Sequence, residues 1–188
     1  MIGYADRKFH AFLALLAVAF FLFRMGAAEA KSSAEIDASV DVALDRFKKD
    51  VKSADEYLKA AKGVLVMPEI KKAGFIVGGQ WGEGALRVGG KTADYYKMEA
   101  QSVGFQAGYQ KMTFVFLFLT QEALDSFRAS DGWTAGVEGG ITVADASSGV
   151  TADTLKAQDP IVGFVLGREG LMAGWSAKGT KFTRLPMK

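Results

Sequence analysis

The 188-residue sequence contains no cysteine, only one histidine and only three prolines. Without cysteine the chain has no disulfide framework, no catalytic thiol and no acylated lipoprotein anchor. The one histidine, His10, lies in an N-terminal segment that has the pattern of a cleaved leader. A mature chain without His and Cys excludes a histidine-based catalytic triad and zinc sites built on those ligands. The patterns GxSxG and GxxxxGK[ST] are absent as well.

Residues 1–30 have the organisation of a secretory signal peptide. Arg7 and Lys8 form a positive start, Ala11–Phe23 is an apolar run, and Ala28–Ala30 supplies an A-x-A cleavage site. The apolar run is short for a membrane span. We therefore predict export and cleavage after Ala30, and for a cysteine-free chain the bacterial periplasm is the compartment that fits best. The alternative is that the segment stays in place as a membrane anchor.

The charge of the chain is almost balanced, with 23 basic and 21 acidic residues. Cleavage removes three of the former and two of the latter, so no strong overall field draws the protein towards nucleic acid. With 49% hydrophobic residues, the remainder is predicted to form one domain with a real core. We expect residues 31–188 to comprise a helical arm, 31–62, and a β-rich core, 63–188, with one inserted helix near 121–129.

The helical arm is predicted from periodicity and capping patterns. A helix opening at Ser33 carries an apolar stripe with steps of three and four residues: Ile36, Val40, Leu44, Phe47 and Val51. Ser53 and Glu56 have the spacing of a capping box for a second helix near 54–61, and Gly63 is predicted to terminate it.

A glycine-rich stretch, Lys62–Leu86, joins the arm to the sheet. Val64–Met67 is predicted to be a buried strand that Pro68 stops, and Ile70–Gly74 is then a connector with two exposed cations. The next segment alternates like a half-buried strand, yet it contains four glycines at positions where strands normally carry side chains: 78, 79, 82 and 84. Their spacing does not match a phosphate-binding GxGxxG loop, so bulges and sheet coiling are the interpretation.

The remaining pattern predicts further strands and one helix. Lys111 and Met112 are expected to turn the chain into Thr113–Leu119, an apolar run that should be buried on both faces. Thr120 is predicted to cap the helix at 121–129. Residues 133–143 read as one half-buried strand and 144–160 as a surface flap, followed by strands at 161–166, 171–177 and 182–185. The fold class predicted is α+β, with N-terminal helices packed on a coiled, mostly antiparallel sheet that approaches a barrel or sandwich.

Two surface features suggest membrane binding. One is a run of lysines between the helical arm and the first strands, next to apolar side chains: Lys48, Lys49, Lys52, Lys59, Lys62, Lys71 and Lys72. The alternative is an ordinary solvated face, because acidic residues are interleaved. The other is a set of five aromatics, of which core packing explains most and a membrane-interface belt explains one or two: Trp81, Tyr95, Tyr96, Trp133 and Trp175.

The chain resembles the SYLF domain family in four ordered blocks. The first is AKGVLVMPEIKKAGFIVGGQWGEGAL at residues 61–86, and the second is SVGFQAGYQ at 102–110 with the apolar run and helix that follow. The third runs from Gly132 to Val143, and the last is GLMAGWSAKG at 170–179. The resemblance covers about residues 54–185.

The resemblance implies a phospholipid-binding module, which in eukaryotic members binds phosphoinositides and takes part in actin and membrane-traffic regulation. Actin regulation is not carried over to an exported bacterial protein. The family attributes lipid binding to a basic amphipathic segment at the N-terminal edge of the domain. The closest positions here are Lys59, Lys62, Lys71 and Lys72.

We therefore expect non-enzymatic binding of anionic phospholipid at a periplasmic membrane surface, with no cofactor, no metal and no nucleic-acid partner. A structural or protein-interaction module of the cell envelope, using a sheet edge or the flap at 144–160, is the alternative. A hydrolase acting through Ser, Lys or carboxylates is a more distant one.

Overall fold

The structure, a computed structural model, is an α+β fold, as predicted, with helices packed on a strongly curled, mostly antiparallel half-barrel sheet. It describes residues 31–74, 77–103, 108–144, 160–168, 170–171 and 176–186. The predicted signal peptide and most of the predicted flap lie outside these ranges. Within them, no helix combines the length and the apolar character needed to cross a membrane.

The described chain contains three helices and nine strands. The helices are α1 (Ser33–Asp50), α2 (Ala54–Ala60) and α3 (Gln121–Ala129). The strands are β1 (Gly63–Gly74), β2 (Val77–Val88), β3 (Lys91–Val103), β4 (Gly108–Phe118), β5 (Gly132–Thr134), β6 (Thr142–Val143), β7 (Ile161–Gly167), β8 (Gly170–Leu171) and β9 (Lys181–Leu185). Their order in the sheet is β5-β9-β3-β2-β1-β4-β7-β6, with β8 paired to β7. All neighbours are antiparallel except β6 and β7.

The sheet is covered on two faces by two separate cores. On the first face, the apolar stripe of α1 and Tyr57 of α2 pack on the alternate residues Val64, Val66, Val115 and Leu117. On the second face, α3 packs with strands β5 and β9 on the intervening residues of the same strands. Strand β4 contributes to both cores, and every residue from Met112 to Leu119 is buried. The prediction that this apolar run is covered on both sides is therefore confirmed.

A capping box starts α1, whereas α2 lacks the capping box that the sequence predicts for it. Ser32 is the N-cap of α1 and forms a full capping box with Glu35, whose carboxylate accepts a 2.8 Å hydrogen bond from the Ser32 amide. At α2, Ser53 has a φ of 59° and its side chain makes no capping hydrogen bond, so the predicted capping box is wrong. Gly63 is also not a helix terminator, because α2 ends at Ala60 and Gly63 is the first residue of β1.

Strand β1 does not stop at Pro68, which corrects the predicted connector at Ile70–Gly74. The pairing of β1 with β4 shifts register between Met67 and Ile70, which is a β-bulge. The bulge accommodates a residue that has no amide hydrogen to give to the ladder. The Pro68 carbonyl still accepts a 2.8 Å hydrogen bond from the hydroxyl of Thr113. The strand then continues in pairing to Gly74.

Two further segments differ from the prediction because pairing partners overrode local patterns. Lys111 and Met112 do not turn the chain, since β4 runs unbroken from Gly108 and both residues pair with β1. The predicted strand at 133–143 is two short strands separated by a turn, and Val137 in that turn is 79% exposed rather than half-buried.

Candidate functional site

The structure separates the four predicted site lysines into two pairs. Lys59 lies in the last turn of α2 and Lys62 directly precedes β1, and both are exposed. Lys71 and Lys72 lie beyond the bulge in β1 and are half-buried. At a strand rise of about 3.3 Å per residue, the two pairs lie roughly 30 Å apart along the strand. The four lysines therefore do not form one compact cluster.

The Lys59–Lys62 end is a mixed surface. The first turn of α2 carries Asp55 and Glu56, so acidic and basic side chains alternate around this short helix. The backbone amide of Lys62 donates a 2.7 Å hydrogen bond to the carbonyl of Phe118, which fixes the entry into β1.

The Lys71–Lys72 pair lies at the hairpin end of the sheet, which we define as the end where β1 and β2, and β3 and β4, are joined. There Gly74 pairs with both Gly78 and Gly108, so the two hairpins close at the same end. The chain joins β1 to β2 through residues 75–76 and β3 to β4 through residues 104–107, all outside the described ranges.

The bulge decides which face of the sheet Lys71 lies on. Before the bulge, Val64 and Val66 belong to the first-face core, whereas after it Ile70 belongs to the second-face core. Because strand residues alternate between faces, Lys71 lies on the first face. Without the register shift the parity of β1 would be reversed at this point, and Lys71 would point into the second core.

On the first face, Lys71 belongs to a row of residues that pair across five strands. We call this row the lysine–tryptophan row. Its members, in sheet order, are Lys111, Lys71, Trp81, Glu99 and Lys181. Trp81 is 40% exposed, although the sequence pattern placed it on a half-buried strand face. The helical core ends before this row, because none of its five members belongs to the buried first-face cluster.

Two ion pairs involve residues of the row, Lys111 and Glu99. The ammonium of Lys111 lies 3.4 Å from a carboxylate oxygen of Glu69, and that of Lys97 lies 2.8 Å from a carboxylate oxygen of Glu99. All four side chains are at least 40% exposed, so these pairs are worth little and can rearrange when another charge approaches.

A second charged surface lies between the C-terminal part of α1 and the β7–β8 turn. It is an open cleft of about 590 Å³ lined by Asp45, Arg46, Lys49, Asp50, Arg168 and Gly170. Arg46 is engaged, because its Nε donates a 3.1 Å hydrogen bond to Asp50 and its Nη2 donates to the carbonyl of Gly167. This arginine therefore fixes the helix to the edge of the sheet. In the described part of the chain, no group of three acidic or histidine side chains is placed to hold a metal ion.

A comparison with known protein families gives a match. Residues 99–185 match the family model described as "Ysc84: Las17-binding protein actin regulator". This part of the chain is similar to the Ysc84 (SYLF) family. The family predicted from the sequence resemblance is confirmed. No curated protein matches the chain.

The Ysc84 match begins inside β3 and ends with β9, so it covers β4, α3 and the part of the second-face core that lies after β3, whereas the contributions of β1, β2 and β3 to that core precede it. The SYLF family comprises lipid-binding and actin-regulating domains, which bind rather than catalyse. Of the lysine–tryptophan row, Lys111, Glu99 and Lys181 fall inside the matched residues, and Lys71 and Trp81 precede them. The four predicted site lysines all precede them too.

Sequence reasoning missed Trp81, Lys111 and Lys181 as members of one surface. Lys111 was assigned to a turn, and the pairing that places it opposite Lys71 depends on a strand register that no local pattern encodes. A weak signal was present at Trp81, because Gly79, two residues away on the same face of the strand, places no side chain beside the indole on that side.

Proposed function

We propose that this protein is exported and binds anionic phospholipid at the periplasmic surface of a membrane, without catalysis. The observation that supports this most is the family match, because the SYLF family includes lipid-binding domains. Exposed or half-buried lysines at both ends of β1 supply the positive charge that anionic headgroups attract.

Co-sedimentation with vesicles tests the binding. The mature chain should sediment with vesicles that contain about a third anionic phospholipid and remain in solution with purely zwitterionic ones. Near an anionic surface each lysine contributes about 1 kcal/mol, so changing Lys59, Lys62, Lys71 and Lys72 together to Glu should abolish sedimentation. Lys178→Glu, a change of an exposed lysine in the turn before β9, is the control and should bind as the wild type does. If the quadruple variant binds as well as the wild type, these four lysines do not form the lipid-binding site.

Export has its own measurement. Periplasmic extracts of the producing bacterium should contain a chain whose N-terminal sequence starts at Lys31. Recovery of the full-length chain with the membrane pellet would instead support the retained anchor.

A protein-interaction module is the second candidate, and two observations favour it. The family model is described by a protein-binding activity. In the described chain, Tyr95–Glu99 are the only residues of β3 that pair with β9. The last residues of β3 therefore form a sheet edge at the hairpin end, to which an extended peptide could add. A discrete envelope partner recovered by pull-down, from a protein that binds no vesicle, would support this function over lipid binding.

A further inference from the structure

Trp81 is the most conspicuous exposed apolar side chain of the described residues. The other large hydrophobic side chains that are exposed there are two valines, Val42 on α1 and Val137 in the turn after β5. Trp81 instead lies within a central strand, whereas the other aromatic side chains that the structure describes are packed in the two cores. An exposed tryptophan at a strand centre therefore points to an interaction surface.

Gly79 places no side chain over the Trp81 ring on the hairpin side. A Cβ built on Gly79, its neighbour two residues along β2, would lie 3.8 Å from the six-membered ring of the indole. The indole thus lies next to a bare stretch of backbone on the hairpin side. This arrangement displays one face of the ring without a neighbouring side chain from β2 to shield it.

The row surrounds Trp81 with cations on long stems. Lys71 pairs with it directly, Lys111 lies one strand further, and Lys181 lies two strands away on the other side. Lysine side chains can lay their methylene stems along an apolar surface and keep the ammonium in a polar layer. A central exposed tryptophan with flanking lysines matches the headgroup zone of a membrane, where both residue types are favoured.

The same composition argues against a protein as the occupant. Protein interfaces are enriched in tryptophan but depleted in lysine. Three of the five residues of the row are lysines. The ion pairs of Lys111 with Glu69 and of Glu99 with Lys97 are exposed, so an anionic surface can compete for these lysines at little cost.

We infer that the lysine–tryptophan row, near the hairpin end of the described sheet, is the surface that contacts the membrane, with Trp81 anchored in the headgroup layer and Lys71, Lys111 and Lys181 bound to lipid phosphates. This inference rests on the proposed function and chooses between the two lysine pairs. The Lys59–Lys62 end, roughly 30 Å away along β1, faces away from the lipid in this arrangement.

Substitutions at the two ends distinguish the contact surface. With vesicles containing a third anionic phospholipid, Trp81→Ser should weaken binding about tenfold, which corresponds to ~1.4 kcal/mol. Val137→Ser, at a more exposed apolar side chain outside the row, is the matched control and should change binding less than twofold. Lys71→Gln with Lys111→Gln should weaken binding about 30-fold, and Lys59→Gln with Lys62→Gln less than threefold.

Fluorescence reports the depth of Trp81 directly. The experiment uses a Trp175→Phe background, in which Trp81 and Trp133 are the two remaining tryptophans. On addition of vesicles containing brominated lipids, the emission of this background should be quenched, and adding Trp81→Phe should remove most of that quenching, because Trp133 is buried in the second-face core. Circular dichroism of each variant checks that the fold is kept, and Trp81→Phe, which preserves an aromatic ring, covers the case in which the serine variant unfolds.

The outcomes separate the two levels of the proposal. A wild type that binds no anionic vesicle would reject the proposed function itself. A wild type that binds while Trp81→Ser and Trp81→Phe bind equally well, without loss of quenching, would overturn the inference about the hairpin end. A larger effect at Lys59 and Lys62 than at Lys71 and Lys111 would place the contact at the opposite end.

Discussion

Replacing Gly84 with alanine should destabilise the fold more than any other single methyl group added to the glycine-rich strand. Gly84 lies in β2 where β1 approaches through its bulge. A Cβ at this position would lie 2.0 Å from the carbonyl oxygen of Val66 and 2.9 Å from the Cα of Met67. Both are backbone atoms of a central strand, so no rotamer change removes the clash.

The expected magnitude follows from how far β1 must move. Cβ atoms practically never approach other atoms closer than 3.0 Å, so the strands must separate locally by about 1 Å. Overpacking of a core costs about 1–3 kcal/mol. Weakening one or two of the β1–β2 backbone hydrogen bonds adds about 1 kcal/mol for each. The two contributions sum to about 2–5 kcal/mol. Because the closest clash is with backbone, we expect a loss of about 4 kcal/mol, a large fraction of the 5–15 kcal/mol typical of a domain.

Gly79→Ala is a matched control, because it adds the same methyl group to the same strand. Its Cβ would meet the Trp81 ring at 3.8 Å, an ordinary van der Waals distance. Alanine restricts the unfolded chain more than glycine does, so this variant should be neutral or up to about 1 kcal/mol more stable.

Urea denaturation followed by circular dichroism measures both variants. Gly84→Ala should lower the midpoint strongly, and its melting temperature by about 8–16 °C for a domain of this size. If Gly84→Ala and Gly79→Ala change the free energy of unfolding by the same amount, the close approach of β1 to β2 is not the reason why glycine occupies position 84.

Three further predictions concern the stability of the fold. Asp37 accepts hydrogen bonds from two hydroxyls of β3, including the 2.8 Å bond from Tyr95, so Asp37→Ala should cost about 2–3 kcal/mol in urea unfolding. Asp41→Ala, on the same helix, removes an exposed carboxylate that pairs with Arg87, and it should cost under about 1 kcal/mol. Ser53→Gly should raise the free energy of unfolding by about 0.5–1 kcal/mol, because glycine adopts the φ of 59° without strain and no capping hydrogen bond is lost. An unchanged urea midpoint would show that the serine is not strained there. Burial raises the pKa of Tyr95 and Tyr96 above the ordinary 10.0, so stability should be constant to about pH 10 and fall above it, less steeply in Tyr95→Phe.

The predictable part of this fold is the part that its local patterns encode. The stripe from Ile36 to Phe47 repeats with the helical period. Helix α1 buries Ile36, Val40 and Phe47 together with Ala43, and Leu44 is half-buried. The apolar run after Met112 is covered on both faces, and Thr120 caps α3 with a 3.2 Å hydrogen bond to the amide of Ala123. In each case a short-range rule and the final packing agree.

The errors occur where a long-range partner overrides a local rule. Proline normally ends a strand, yet Pro68 is retained within β1 by a bulge against β4. Ser53 and Glu56 have capping spacing, but the turn from α1 places Ser53 in the left-handed region. Both outcomes depend on contacts with other elements that a window of ten residues does not contain.

The sequence by itself determined the fold class, the resemblance to the SYLF family and the absence of cysteine. Periodicity, composition and motif order carry that information because they are local properties of the chain. Only the tertiary structure decided which lysines lie in one row. The bulge at Pro68 sets the face of Lys71, and the register of β1 with β2 and β4 sets Trp81 and Lys111 beside it. Register is a relation between distant segments, and a shift of one residue would have moved the same side chains to the other face of the sheet.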